Sequence, residues 1–249
     1  MSSGARHVFR YLVDDQPAEG AELVLDADDS RHLVKVVRRA VGDPVEVIGP
    51  DGAMWPCTVV ATGSPAVLRV DGPARPAPPV APLDLWVGLA EAGRLDLVAE
   101  KTAELGVARL GVVVTERARR VPDHAQWARR QQRMDRVAVA AARQSGRGVR
   151  PAPMGLVPFA HVLETTTPGQ GIVLDPRAGD SLAGVLAAHG AGSPLTLLVG
   201  GDTGFADHEV DAAVAAGFRA ARMGDGMLRA ETAAIAAATL ALDHMGALS

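Results

Sequence analysis

The sequence predicts an α/β chain in two parts: a small N-terminal β-barrel (residues 1–72), then, after a linker (73–82), an α/β domain with a mainly parallel sheet (83–249). Three observations predict it. The stretch GPARPAPPVAP at 72–82 holds five prolines and little that can pack, which suits an extended spacer. Before it, short β-rich runs are separated by turn residues. After it, apolar runs alternate with segments of helical period. With 249 residues, 48% hydrophobic and 22% charged, the chain suffices for one large or two modest domains, and disorder and fibre are excluded.

In order, the first part predicts strands at 7–13, 45–48, 55–60 and 66–70, with turns at Gly42-Asp43-Pro44 and Asp51-Gly52. Between them lies a short helix that Asp28, Asp29 or Ser30 would cap and whose Leu33, Val34 and Val37 would close the barrel. The second part predicts buried strands at 83–89, 110–114, 172–174, 195–199 and 218–223. Helices fit 94–105, 124–144, 181–189, 207–216 and 230–245.

No window approaches 18 uninterrupted apolar residues and the first ten lack a signal-peptide core, so membrane insertion and secretion are not expected; a cytoplasmic protein is. The lone cysteine, Cys57, has no partner for a disulfide, a zinc site or an iron-sulfur cluster; it reads as a buried spectator, and no metal is expected. The net charge of -4 conceals an uneven distribution: between 116 and 150, ten arginines face three acids. A second basic group, Arg31, Lys35, Arg38 and Arg39, has the spacing of one helix face, with His32 beside it. Each cluster alone fits a solvated surface equally well, but two in an acidic chain favour a nucleic-acid partner.

Ligands in open α/β sheets collect at the carboxyl ends of strands, which directs attention to the loops after Leu174, Val199 and Met223. Two are glycine-rich: LLVGGDTGF (197–205) and MGDGMLRAETAA (223–234). Either could be a tight turn or a place where backbone amides approach a ligand. Neither matches GxGxxG or a P-loop, so a dinucleotide or nucleoside triphosphate would lack its phosphate cradle.

These two loops, in this order, resemble the RsmE family of 16S rRNA uridine-N3 methyltransferases of the SPOUT class. The resemblance extends over HLVKVVRRAVGD (32–43), EKTAELGV (100–107), TERARR (115–120), AARQSGR (141–147) and LDPRAG (174–179). It implies a SPOUT-type trefoil-knotted C-terminal domain, a PUA-like N-terminal barrel, S-adenosylmethionine as cofactor, 16S rRNA or the small ribosomal subunit as partner, and a homodimer. The helix at 233–242 would supply the dimer surface, or equally would pack in the core. The cofactor would be held by Leu174, Val199, Gly200, Gly201, Gly204, Met223, Gly224, Met227 and Leu228. RNA would be gripped by Arg10, Arg31, His32, Lys35, Arg38, Arg143, Gln144, Arg147 and Arg150.

The reaction sets the catalytic expectation. Uracil N3 becomes nucleophilic when its proton leaves, so Arg229 is expected to stabilise the uracil anion through a carbonyl. Glu231 is its catalytic companion, with Asp202 and Asp225 as further nearby acids; solvent is an alternative proton acceptor. The chain departs from the family pattern. Gly200-Gly201-Asp202-Thr203-Gly204 replaces Gly-Pro-Glu-Gly-Gly, Gly226 replaces an arginine, Ala230 a threonine, and Ala206 a helix-capping serine, a cap that Asp207 would then take over. These departures leave open an alternative: an RNA-binding or ribosome-assembly protein that keeps the fold without turnover.

Overall fold

A computed structural model describes residues 9–76, 80–145, 147 and 150–248. The chain forms two compact units, Met1–Pro79 with Arg143–Val149, and Val80–Ala142 with Arg150–Ser249.

The first unit is built on β1 (Arg10–Leu12), β2 (Glu22–Val24), α1 (Ala27–Arg31), β3 (Pro44–Ile48), β4 (Met54–Ala61) and β5 (Val67–Val70). Its sheet runs β1-β3-β4-β5-β2 and is antiparallel except for the β1–β3 pair. Alternation puts Val45, Val47, Cys57, Val59, Leu68 and Val70 into one core with Tyr11 and Leu33. Among the described residues no ladder joins the edge strands β1 and β2, so hydrogen bonding leaves the expected barrel as an open sheet. The edge strand β2 escapes sequence reading because only Leu23 of its three residues is even half-buried. Cys57 is buried, and burial pushes its thiol up to about 12. Residues 77–79 of the expected linker lie outside the described residues, but Arg75 within it exchanges backbone hydrogen bonds with Met54 at 2.7 and 2.8 Å.

The basic helix differs from expectation in two ways. Its cap is Asp26, whose carboxylate accepts from the N–H groups of Asp28 (2.9 Å) and Asp29 (2.7 Å). Ser30 is instead buried, donating to the Leu25 carbonyl and accepting from Ala66 N–H. Beyond Arg31 the helix widens into a π turn, His32–Val36, closed by Val37 N–H bonding to His32 O. A π turn takes more residues per revolution than an α-helix, so the spacing that put four cations on one face does not hold. Arg38 adopts φ 56°, and Arg39 stacks over the Phe9 ring at 5.2 Å.

The second unit contains β6 (Leu83–Gly88), α2 (Ala92–Leu105), β7 (Arg109–Val114), α3 (His124–Ser145, whose end from Arg143 counts with the first unit), β8 (Ala152–Pro158) and α4 (Phe159–Thr165). These are followed by β9 (Gly171–Leu174), α5 (Leu182–Ala187), β10 (Leu195–Val199), α6 (Asp207–Ala215), β11 (Arg219–Ala221) and α7 (Ala230–His244). Six strands form one parallel sheet, β11-β9-β10-β6-β7-β8. Helices cover both faces, which is why the strands are continuous apolar runs: Leu197 and Val199 join a core with α2, α5 and α7, whereas Leu198 joins the opposite one with Phe205 and Phe218. Sequence reading missed β8, whose Pro153, Gly155 and Pro158 break alternation but are tolerated on an edge strand, and the short α4. In α7, Ala234, Ala237, Ala238 and Ala241 are fully buried, so the alanine face packs in the core. No helix among the described residues is long and apolar enough to cross a membrane.

Candidate functional site

Because β11, β9 and β10 are neighbours, the loops leaving their carboxyl ends lie side by side. Those after β9 and β11 are stitched together: Asp175 N–H bonds to Ala221 O, while Leu182 N–H and Arg222 N–H bond to Arg222 O and Asp180 O, at 2.9 to 3.0 Å. A cavity of about 700 Å³ opens among them. Of the nine residues expected to hold a cofactor, Leu174, Val199, Gly200, Gly201, Gly204, Met223, Met227 and Leu228 line it. Gly224 does not; it forms the adjoining turn, with φ +69°.

The loop after β10 is fastened on every side. A Cβ on Gly88 would come within 2.2 Å of Gly201 N, and one on Gly201 within 2.6 Å of Leu89 O. Glycine at 201 thus serves contact between two backbones. The Asp202 carboxylate accepts from Glu91 N–H (3.0 Å) and from Arg94 (2.6 Å), and Thr203 Oγ1 donates to Arg117 O (2.9 Å). The α6 cap is Ala206 rather than Asp207; its N–H is received by Glu209, the half of a capping box that survives without a side-chain hydroxyl. Asp207 pairs instead with Arg177 (2.7 Å).

After β9, Asp175 accepts from the backbone and side chain of Arg177 at 3.0 to 3.1 Å. Burial pushes its carboxyl up, but the hydrogen bonds and charge of Arg177 more than reverse this and hold it below its ordinary value.

Arg229, at the start of α7, lines the cavity; its carbonyl accepts from Ala233 N–H at 2.9 Å, but its guanidinium makes no hydrogen bond or ion pair to another described residue. Glu231 does not line it; it lies one residue past the lining residue Ala230 with its side chain 13% exposed. Its Oε2 is buried without a hydrogen bond, 3.8 Å from Arg94 Nε. Sequence reading missed Arg94, which lines the cavity and reaches both Asp202 and Glu231. A signal existed: a cation in the first turn of a helix opposes the macrodipole and calls for a carboxylate partner.

The expected RNA-binding residues are placed separately. In the first unit, Arg10 pairs with the buried Glu46 at 2.8 Å, as does Arg75, and Arg31 pairs with Asp28 at 3.2 Å. His32 Nδ1 lies 3.4 Å from the Tyr11 hydroxyl. Lys35, Arg38 and Gln144 are exposed, Arg147 is half-buried, and Arg143 lies 3.9 and 3.8 Å from Asp26 and Asp29. In the second unit, Arg150 pairs with Asp135 at 2.7 Å.

Residues 76–242 match the RNA methyltransferase domain family. The chain is 30% identical to ribosomal RNA small subunit methyltransferase E of Mycobacterium bovis over 245 residues, covering 96% of this chain and 91% of the relative. It is 25% identical to the protein of the same name from Synechocystis, covering 99% and 80%. In fold it is similar to a methyltransferase from Legionella pneumophila in complex with S-adenosylmethionine (TM-score 0.81, 21% identity, covering 95% and 98%). It is likewise similar to the small subunit methyltransferase E of Neisseria gonorrhoeae bound to the same molecule (TM-score 0.77, 23% identity, covering 95% and 97%). With a family match over most of its length and a relative of this identity and coverage, the chain belongs to the RNA methyltransferase family, among the ribosomal RNA small subunit methyltransferases E.

Proposed function

We propose that this protein methylates N3 of a uridine in 16S rRNA of the small ribosomal subunit, with S-adenosylmethionine as donor. The observation that carries the reading is the cavity at three adjacent strand ends, with the unpartnered Arg229 guanidinium on its wall. Its volume falls within the range of about 300–1,000 Å³ usual for small-molecule sites. Its lining suits this donor: glycine-rich backbone for the polar edges of an adenine, and Met223, Met227 and Leu228 for its faces. When bound, the donor supplies an electrophilic methyl on a sulfonium.

The protein's own residues prepare the nucleophile. The Arg229 guanidinium donates to a uracil carbonyl as negative charge develops on the ring, and it has no competing partner to leave. Of the three acids named from the sequence, Asp202 is committed to Glu91 N–H and Arg94, and Asp225 is 98% exposed beside Arg222; the cavity-lining Asp175 and Asp207 are both bonded to Arg177. Glu231 stands outside the cavity lining but is the acid left with an unsatisfied oxygen, Oε2 near Arg94, and in this proposal it takes the role of acid-base partner. Asp202 and Thr203 depart from the family pattern yet are both bonded, so the departures are compatible with a formed cavity and with turnover.

The finer architecture belongs to the same proposal: a trefoil knot, supported by the Ser181–Arg222 bridge between two loops, and a PUA-like first unit ending before the proline-rich stretch. A cytoplasmic homodimer is included, with the exposed Met227 and Leu228 available to a second copy. The RNA grip of the first unit rests on Lys35 and Arg38 together with the paired arginines. Methylated N3 occupies the pairing edge, so reverse transcriptase stops at the target in normal cells and reads through in a deletion strain. Identical read-through in both would reject the substrate. No heat of binding with S-adenosylmethionine at millimolar concentration would favour the RNA-binding alternative.

A further inference from the structure

The loop after β7 opens the basic stretch 116–150, but none of its arginines is among the individual residues expected to grip RNA. Ala118 N–H bonds to Thr115 O at 3.0 Å and closes a turn, with Thr115 buried and Ala118 packed against the core. Two consecutive residues of this turn are then pinned from outside. Glu116 N–H donates to Glu209 of α6 at 2.9 Å, and Arg117 O accepts from Thr203 Oγ1 at 2.9 Å. Glu209 is itself buried and holds the start of α6, so the first pin attaches to a rigid element, and the second attaches to the fastened loop after β10.

A held backbone here carries a loosely held side chain. Arg117 lines the cavity and is 50% exposed. Its guanidinium lies 3.7 Å from Asp207 Oδ1, beyond hydrogen-bonding distance, and that oxygen is already taken by Arg177 at 2.7 Å. The next two cations along the chain, Arg119 and Arg120, are exposed. Arg117 on the cavity wall is thus followed within three residues of chain by two solvent-exposed arginines.

Resting on the methyltransferase reading above, we propose that Arg117, with Arg119 and Arg120 beyond it, grips the phosphates flanking the target nucleotide at the mouth of the cavity, and that Thr203 is the positioning residue that aims Arg117. A cavity-wall cation could equally meet the carboxylate of the methyl donor, but continuity with two exposed arginines matches a chain of phosphodiesters, spaced along a strand, better than a single carboxylate. The side chain at 203 matters because the hydroxyl is the only group on it that can reach a carbonyl as donor; the family pattern has glycine there, so this tether belongs to this chain.

The test uses the full-length protein and a 16S rRNA fragment, with RNA affinity measured by fluorescence anisotropy across a salt series and donor affinity by calorimetry. Arg117→Ala should weaken RNA roughly tenfold and reduce the salt slope by about 0.7 to 1. The loss should be equal for an unrelated RNA, because phosphate contacts carry no sequence. Donor affinity should stay unchanged, and the KM for RNA should rise more than kcat falls. Thr203→Val should show the same pattern in weaker form and Thr203→Ser should restore it, with unfolding curves confirming that all variants fold. Unchanged RNA affinity and slope in Arg117→Ala, or a loss confined to the donor, overturns the proposal. A wild-type protein that transfers no methyl group, while Arg117→Ala still loses RNA affinity, would sink the assigned reaction and leave this surface standing.

Discussion

The two glycine-rich loops of the cavity look alike in sequence and do opposite things. The loop at Gly200–Gly204 is closed on itself and on its neighbours: backbone against Gly88 and Leu89, Asp202 against α2, Thr203 against the turn after β7. The loop from Met223 to Arg229 is open. Met227 is 85% exposed, Gly226 has nothing within 4 Å of a would-be Cβ, and the Arg229 guanidinium has no partner among the described residues. The first loop is a wall in which Gly200 and Gly201 serve packing; the second is an exposed face. Glycine content alone did not separate the two roles.

Arg229→Ala is the sharpest probe of the open loop. Because no described residue bonds to its guanidinium, stability should hardly move while kcat falls by about 10² to 10³, the loss typical of removing one donor to a developing anion; single-turnover methylation alongside thermal unfolding checks both halves. Loss of stability instead would make Arg229 structural and erase the contrast.

Next in size is a pair of glycine substitutions. Gly201→Ala drives a Cβ into the Leu89 carbonyl, a backbone atom that cannot swing away, and should cost about 1–3 kcal/mol. Gly226→Ala meets open space and should stay within about 0.5 kcal/mol of the parent. Urea unfolding of the two variants measures the difference; equal effects would mean that the loops are equally packed.

Asp202→Asn tests how firmly the closed loop is held. It weakens two charge-assisted hydrogen bonds at a partly exposed site, for which about 1 kcal/mol is expected by chemical denaturation.

The smallest effect concerns the third loop. The Asp175 carboxyl in the folded protein lies below its ordinary 3.8, so its pairing stabilises fully above that value and is lost as pH falls below it, through the folded-state value. A stability profile between pH 5 and 2 should fall more steeply for the parent than for Asp175→Asn. Parallel profiles would show that Arg177 does not hold this carboxyl.

Much of this was legible in advance because the signals are local. Continuous apolar runs bounded by turns marked five of the six strands of the parallel sheet, and the strand-end rule led to the three loops before any geometry was known. What failed had a physical reason each time. β8 carries two interior breakers that an edge position forgives, and α1 runs into a π turn that breaks the 3.6-residue period on which the basic stripe rested. Arg94 and Glu231 stand 137 positions apart in the chain, and no local pattern could join them.

The division follows from the range of the forces. Periodicity, turn chemistry and composition act over a few residues, so the sequence by itself determined the α/β class, the strand ends and the glycine loops. Which glycine faces a backbone and which faces a ligand, which carboxylate is spent and which is left unsatisfied, and which arginine is held and which is free depend on contacts between segments about a hundred residues apart. Only the tertiary structure, by making β11, β9, β10 and β6 successive neighbours in one sheet, decided those.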